Sequence, residues 1–401
     1  MESMSNRKVK KLKIHISDDI LYNLLTRLPG KSLLRFRCVS KHWNTLISDP
    51  YFMNSRSRRM ILLPFPRPLV VLDDNILSHN DNTKIYQRCG PFLPKRKKDK
   101  SHCMVGVHSP SEVYQEQGTT IRVVSIVGSF NGIVLLALTD NSYCCHLVLY
   151  NPLTRFSTKL VVLDPPPSYD YIMIPYVFGF GYGATTGELK IVRFKVFNRL
   201  EPALYQYECD VYALRTGSWS RPPGELIRAF FFLGNNAGLF LNGFLYWVTS
   251  DETLVYTVLE LNVEKMVFSK IKLPDGHDSF LGPLLGSIDG CLCMVNRIGF
   301  DARFGLWVMK EQGEWLKTHS FSIQNGRPVC IMGNGKILFV GMLMLLFMYD
   351  LSKDSCTRLY DLVDHVEFKK SGSVYCLKGK HSIEYVESLV SPSDICYVCF
   401  N

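Results

Sequence analysis

From Ile61 onward the chain repeats one grammar, and that repetition constrains the fold more than any other feature. A turn dipeptide opens a strand four times: NGIVLL at Asn131, NGFLYWV at Asn242, DGCLCMV at Asp289 and NGKILFV at Asn334. Asn-Gly and Asp-Gly accept the positive φ angles of tight hairpin turns. Further strands follow, divided by polar turns. Examples are LVLYNPLTRFSTKL from Leu147, DVYALRTGSWSRPP from Asp210, VLELNVEKMVFSKIKLP from Val258, LWVMKEQGEWLKTHSF from Leu306 and LFMYDLSKDSCTRLY from Leu346. VFGFGYGATTGELKIVRF, from Val177, supplies the opening strands of the unit that contains Asp210. The units recur at about 45 to 60 residues, a period of propeller blades. A plain β-sandwich stays open, because the repeats are degenerate. Along the strands the apolar period is expected to alternate.

Ahead of this body the period is helical. Ser17 can cap a helix whose first turn holds Asp18 and Asp19, favoured there by the helix dipole. Ile20, Leu21, Leu24, Leu25 and Leu28 recur as one apolar face, and Pro29-Gly30 stops the helix. A second helical stretch begins near Lys31 and carries Leu33, Leu34, Phe36, Val39, Trp43, Leu46 and Ile47 up to Asp49-Pro50. So short a unit cannot easily bury this many large side chains, since domains below ~40 residues usually need help. Each one left in water forfeits roughly 1.5–3 kcal/mol. Either a partner polypeptide covers part of the face or the head packs onto its own β body.

Charge sharpens the partner. The 401-residue chain has a formal net charge of +10. From Met1 to Met60 there are 13 Lys/Arg against 4 Asp/Glu, so nearly all of the surplus sits on the head. A body without a basic surplus does not fit nucleic-acid binding. The head suits an acidic partner, or serves solubility. The 13 cysteines show no disulfide framework, and Asn-x-Ser/Thr sites are absent. The N-terminus lacks the apolar core of a signal peptide. The longest apolar run, Ile337 to Met348, falls short of the ~20 residues that span a bilayer, and reads as two buried strands interrupted near Gly341. A cytoplasmic or nuclear protein, with no membrane partner, is expected.

The order of residues in the head, ISDDILYNLLTRLPGKSLLRFRCVSKHWNTLISDPYF from Ile16 to Phe52, resembles the F-box, in its plant form. The body segments SFNGIVLL, YNPLTRFSTKL, GFGYGATTGELKIVRF, VYALRTGSWSRPP, FLNGFLYWV and GCLCMV followed by LWVMKE look like the F-box-associated domain of plant F-box proteins. The resemblance implies an α+β chain organised by domain. A small three-helix F-box (14–60) would follow a basic disordered tail (1–13). A predominantly antiparallel, kelch-like β-propeller (61–401) would come next, divergent and loop-rich over 69–116. Neither the kelch Gly-Gly doublet nor the WD40 Trp-Asp occurs in the repeats. The resemblance further implies docking on the acidic Skp-type adaptor of an SCF (cullin-RING) ubiquitin ligase through Ile16, Ile20, Leu24, Leu28, Pro29, Leu33, Leu34, Val39 and Trp43. The propeller would recruit a target protein whose identity lies in variable loops. The family usually has Leu-Pro where this chain has Ile16-Ser17. That departure keeps open a second reading, an F-box-derived interaction protein acting outside an SCF.

Chemistry is sparse. Cys396 and Cys399 have C-x-x-C spacing but no second pair, and His102, Cys103 and His108 could be ligands only with a remote fourth residue and sit in the loop-rich stretch. Cys291 and Cys293 would share a strand face as buried small residues. GFGYG at Gly179 is followed by no helix to present amides to phosphate, so its glycines read as turn or bulge residues. Asp73-Asp74 reads as loop. Walker, Rossmann and hydrolase motifs are absent. No catalytic residue, metal or cofactor is expected; an enzyme built on a propeller would need polar or metal-binding residues converging at one mouth. Lys95, Arg96, Lys97 and Lys98 form a basic run that is either a nuclear import signal or a solvated loop.

Overall fold

A computed structural model describes residues 17–28, 30–49, 52–53, 59–63, 69–73, 104–107, 121–163, 176–199, 205–222, 227–229, 231–232, 237–250, 255–274, 282–299, 302–311, 313–324, 326–341, 345–361 and 382–395. The basic tail, Ile16, Pro29, Asp74, Lys95 to Lys98, His102, Cys103, His108, Cys396 and Cys399 lie outside the described residues. The chain falls into two compact units, Met1–Ser57 and Arg58–Asn401. No helix among the described residues is long and apolar enough to cross a membrane.

The first unit holds α1 (Asp18–Thr26), α2 (Gly30–Phe36) and α3 (Lys41–Ser48). Ser17 occupies the N-cap of α1 with φ −63° and ψ 150°, but its hydroxyl makes no capping hydrogen bond, contrary to expectation. The first turn is exposed, so water can satisfy its free amides instead. The stretch that reads as one helix from Lys31 to Ile47 divides in two. Arg37, Cys38 and Val39 leave α2 in a turn, and Ser40 starts α3 by accepting the Trp43 amide at 3.1 Å. The apolar 3.6-residue pattern runs across that break because a single turn barely shifts the phase. Leu21, Leu25, Leu33, Ile47, Phe52 and Met53 are buried. Tyr22 meets Phe52 edge-on at 5.2 Å, and Phe36 meets Trp43 at 5.5 Å.

The second unit is a succession of antiparallel sheets. It opens with β1 (Arg59–Leu63), β2 (Leu69–Asp73) and β3 (Met104–Val107). Two of these strands come from the stretch expected to diverge, and Asp73 ends a strand rather than lying in a loop. The next sheet is β4 (Ile121–Phe130), β5 (Ile133–Asp140), β6 (Cys145–Tyr150) and β7 (Ser157–Leu163). The third is β8 (Tyr176–Tyr182), β9 (Leu189–Arg199), β10 (Tyr205–Ala213) and β11 (Ser218–Ser220), with β12 (Ile227–Ala229) also paired to β10. In the fourth, β13 (Phe231–Phe232) and β14 (Leu239–Leu241) both pair with β15 (Phe244–Ser250), followed by β16 (Tyr256–Asn262) and β17 (Val267–Lys272). The fifth is β18 (Leu284–Ile288), β19 (Cys291–Arg297), β20 (Arg303–Glu311) and β21 (Glu314–Ser322). The sixth is β22 (Arg327–Ile331), β23 (Lys336–Val340), β24 (Leu345–Asp350) and β25 (Ser355–Asp361). Then β26 (Ile383–Val386) returns to the beginning and pairs with β1, Arg59 opposite Val386. Five sheets are thus contiguous in sequence and one is stitched from both ends of the unit.

Leading strands of successive sheets face one another: β26 with β4, β4 with β8, β8 with β14, β14 with β18 and β18 with β22. The circuit closes where the Gly333 amide donates to Glu384 Oε2 at 2.9 Å. This is a β-propeller with the leading strands innermost. Apolar cores lie in the seams between consecutive sheets, for example Leu135, Leu147, Phe178 and Ile191 between the second and third. The middle strands are therefore buried on both faces. β6 is buried throughout, so its residues form a continuous apolar run rather than the expected alternation. Three of the four Asn-Gly and Asp-Gly turns behave as read, for example Asn131 at φ 47° and Gly132 at φ 75°, whereas at Asn334-Gly335 only the glycine takes positive φ. Gly179 and Gly181 do not behave as read. They lie inside β8, and a Cβ there would come within 2.5 Å of Trp247 and 2.3 Å of Phe240. They are strand glycines that let the fourth sheet approach closely.

After β26 the chain crosses onto the second sheet. Asn151 holds it there, its Nδ2 donating to the Ser388 and Val390 carbonyls at 3.0 and 2.8 Å. The same side chain's Oδ1 accepts the Leu153 and Thr154 amides at 2.8 and 3.1 Å. A last short helix, α4 (Pro392–Ile395), buries Ile395 in the core between the second and third sheets.

Candidate functional site

The helical unit leaves apolar surface uncovered. Ile20, Leu24 and Val39 are 56, 52 and 58% exposed. Ile20 and Leu24 stand one turn apart on α1, so they form a ridge. Their neighbours Leu21 and Leu25 point into the core, which splits the single apolar face read from sequence into a buried half and a free half. Leu28, Leu34 and Trp43 are partly exposed. Leu33 is different: it is 0% exposed and lies in the core of the helical unit. The sequence pattern cannot make that distinction, because Leu33 and Leu34 are both apolar and adjacent.

The same unit carries exposed cations. Arg27, Lys31, Arg35 and Lys41 are exposed, and half-buried Arg37 donates through Nε to Asn44 Oδ1 at 2.8 Å. His42 and Asp18 join α3 to α1 at 2.9 Å on the surface. Such an exposed pair contributes little to stability.

In the propeller, charged side chains gather on the third sheet. Asp210 lies opposite Arg193 and Glu208 opposite Lys195 across the β9–β10 ladder. Arg193 reaches Asp210 at 2.5 Å, and Lys195 reaches Glu208 at 3.0 Å and Asp210 at 3.4 Å. Arg221 forks onto Glu208 at 3.0 and 2.9 Å. The Arg193 guanidinium also stacks 4.2 Å from the Trp219 ring. Burial pushes the Asp210 carboxyl up, but the hydrogen bond and charge of Arg193, with Lys195 and Arg221, reverse this and hold it below the ordinary range. The knot was legible as spaced charges, Arg193 and Lys195 on one strand and Glu208 and Asp210 on the next. Its cations are matched to carboxylates of the same sheet, so it locks β9, β10 and β11 together.

Burial pushes the Cys145 and Cys209 thiols up to about 12, which leaves them protonated and unreactive. Cys293 is buried, whereas Cys291 is exposed rather than sharing that burial. Among the described residues no cluster of His, Cys, Asp or Glu is arranged to hold a metal.

Comparison with known proteins agrees with this geometry. The F-box domain profile matches residues 14–55, and the F-box associated beta propeller domain profile matches residues 83–392. An F-box/kelch-repeat protein of Arabidopsis thaliana is 25% identical over 393 residues, covering 94% of this chain and 96% of its own length. The F-box protein CPR1 of the same plant is 26% identical, covering 78% and 73%.

Proposed function

Since the chain belongs to the F-box proteins that carry an F-box associated beta propeller domain, we propose that it is the substrate-recognition subunit of an SCF (cullin-RING) ubiquitin ligase. The helical unit docks on the Skp-type adaptor, and the propeller holds a target protein. The observation that carries this reading is the uncovered ridge of Ile20 and Leu24 on α1, with Val39 also exposed on the same unit. Exposed apolar residues grouped in this way mark association surfaces. The exposed cations of the same unit, Arg27, Lys31, Arg35 and Lys41, suit an acidic adaptor.

The contribution to catalysis is proximity. A target held beside a charged conjugating enzyme reacts in an effectively intramolecular step. The chain itself supplies docking and no transfer chemistry. Trp43, half-buried against Phe36, is the aromatic anchor at the edge of the face.

The test is adaptor capture. Ile20→Ser with Leu24→Ser removes two exposed apolar side chains worth roughly 1.5–3 kcal/mol each, so adaptor affinity should fall by at least about 100-fold. Both positions lie outside the core, so helicity should persist. Capture of the double variant at wild-type yield would defeat the docking assignment. Failure of the wild type to capture adaptor would favour action outside an SCF.

A further inference from the structure

Arg327 is the first residue of β22, an innermost strand, so it stands at the end of the ring where each leading strand begins. A register shift follows between Pro328 and Cys330. Across it, Pro328 and Ile331 share the face packed on the fifth sheet, where Ile331 fills the space beside Gly286. Arg327 and Cys330 take the opposite face, toward the stitched first sheet, and Cys330 there feels the charge of Glu384. Arg327 is half-buried, and this burial disfavours its charged form. Yet among the described residues no carboxylate pairs with it. Glu384, on the same seam, accepts the Gly333 amide beyond the far end of β22.

An arginine does not shed its proton in a protein, so a half-buried guanidinium with no counter-ion among the described residues carries a standing electrostatic penalty. Every cation of the third-sheet knot, by contrast, has a carboxylate within reach. Such a penalty persists where the missing charge arrives with a ligand. One planar fork balances one carboxylate, whereas a phosphate would bring excess negative charge into a site with a single cation. We propose that Arg327, at the mouth of the propeller, receives a carboxylate side chain from an acidic segment of the target protein. This rests on the reading of the propeller as the target-recruiting module.

The experiment uses the full chain, alone and with its adaptor, and a labelled polyglutamate peptide with polyglutamine as the neutral control and inorganic phosphate as competitor. The expected result is salt-sensitive binding of polyglutamate, at least about tenfold weaker in Arg327→Gln, with polyglutamine weak throughout. The melting temperature of Arg327→Gln should equal or exceed that of the wild type, because no ion pair with a described residue is lost. A lower melting temperature with unchanged peptide binding would overturn the proposal, making Arg327 a structural residue. Binding of phosphate in preference to polyglutamate would overturn the carboxylate assignment. Adaptor capture, read on the same samples, reports the receptor reading separately and should be identical in both proteins.

Discussion

Asn151→Ala should unlatch the C-terminus. The Asn151 side chain makes four hydrogen bonds, two to amides of its own turn and two to carbonyls more than two hundred residues away. Alanine strands all four groups. The partly exposed Thr154 amide and Val390 carbonyl can recover water, but the Leu153 amide and Ser388 carbonyl are buried. A buried group left unpaired costs about 1–3 kcal/mol, which puts the loss near 3 kcal/mol, on the order of a 100-fold shift in local opening. The effect is confined by geometry to β26 and residues 387–395, since the other seams keep their own apolar cores. Hydrogen exchange resolves this. Amides of 383–395 and of β1, which pairs with β26, should lose protection by roughly that factor, while β15 and β16 on the fourth sheet keep theirs. Unchanged exchange in 383–395, or an equal loss in all the sheets, would refute the idea that this side chain is a local clasp.

Two further outcomes are expected. Ser17 already has the φ of a proline and its hydroxyl caps nothing, so Ser17→Pro should stabilise the helical unit by about 0.4–1 kcal/mol through the unfolded chain, measured by urea titration of helicity; a loss of stability would show that the serine amide is needed. Asp210 is held below the ordinary carboxylate range, so the unfolded chain takes up its proton first as pH falls; its stabilisation is complete above about pH 4 and lost below it. The urea midpoint should therefore fall more steeply from pH 6 to pH 3 (roughly the carboxylate window) in the wild type than in Asp210→Asn, and parallel slopes would contradict the assignment.

Much of this molecule was written locally. The tight turns at Asn131, Asn242 and Asp289 need positive φ at two successive residues, and Asn-Gly or Asp-Gly states that requirement at those three places. The helical period of the head, its basic surplus and the order of its residues likewise sit within one short stretch, so the F-box unit was readable from it. Leu21 against Ile20, or Leu33 against Leu34, was not. An apolar residue carries the same symbol whether it is sealed or waiting for a partner, and only the packing of α1, α2 and α3 separates them.

The sequence by itself determined the repeated strand-and-turn units, the helical head and the family. Tertiary structure alone decided how the ring closes, which glycines in β8 admit Trp247 and Phe240, and where Arg327 stands. The reason is physical. Turn dihedrals and helix caps are fixed by neighbours in the chain, whereas the pairing of Arg59 with Val386 joins opposite ends of one unit. Four residues of β26 carry no signal for that pairing until the other five sheets have brought the ends together.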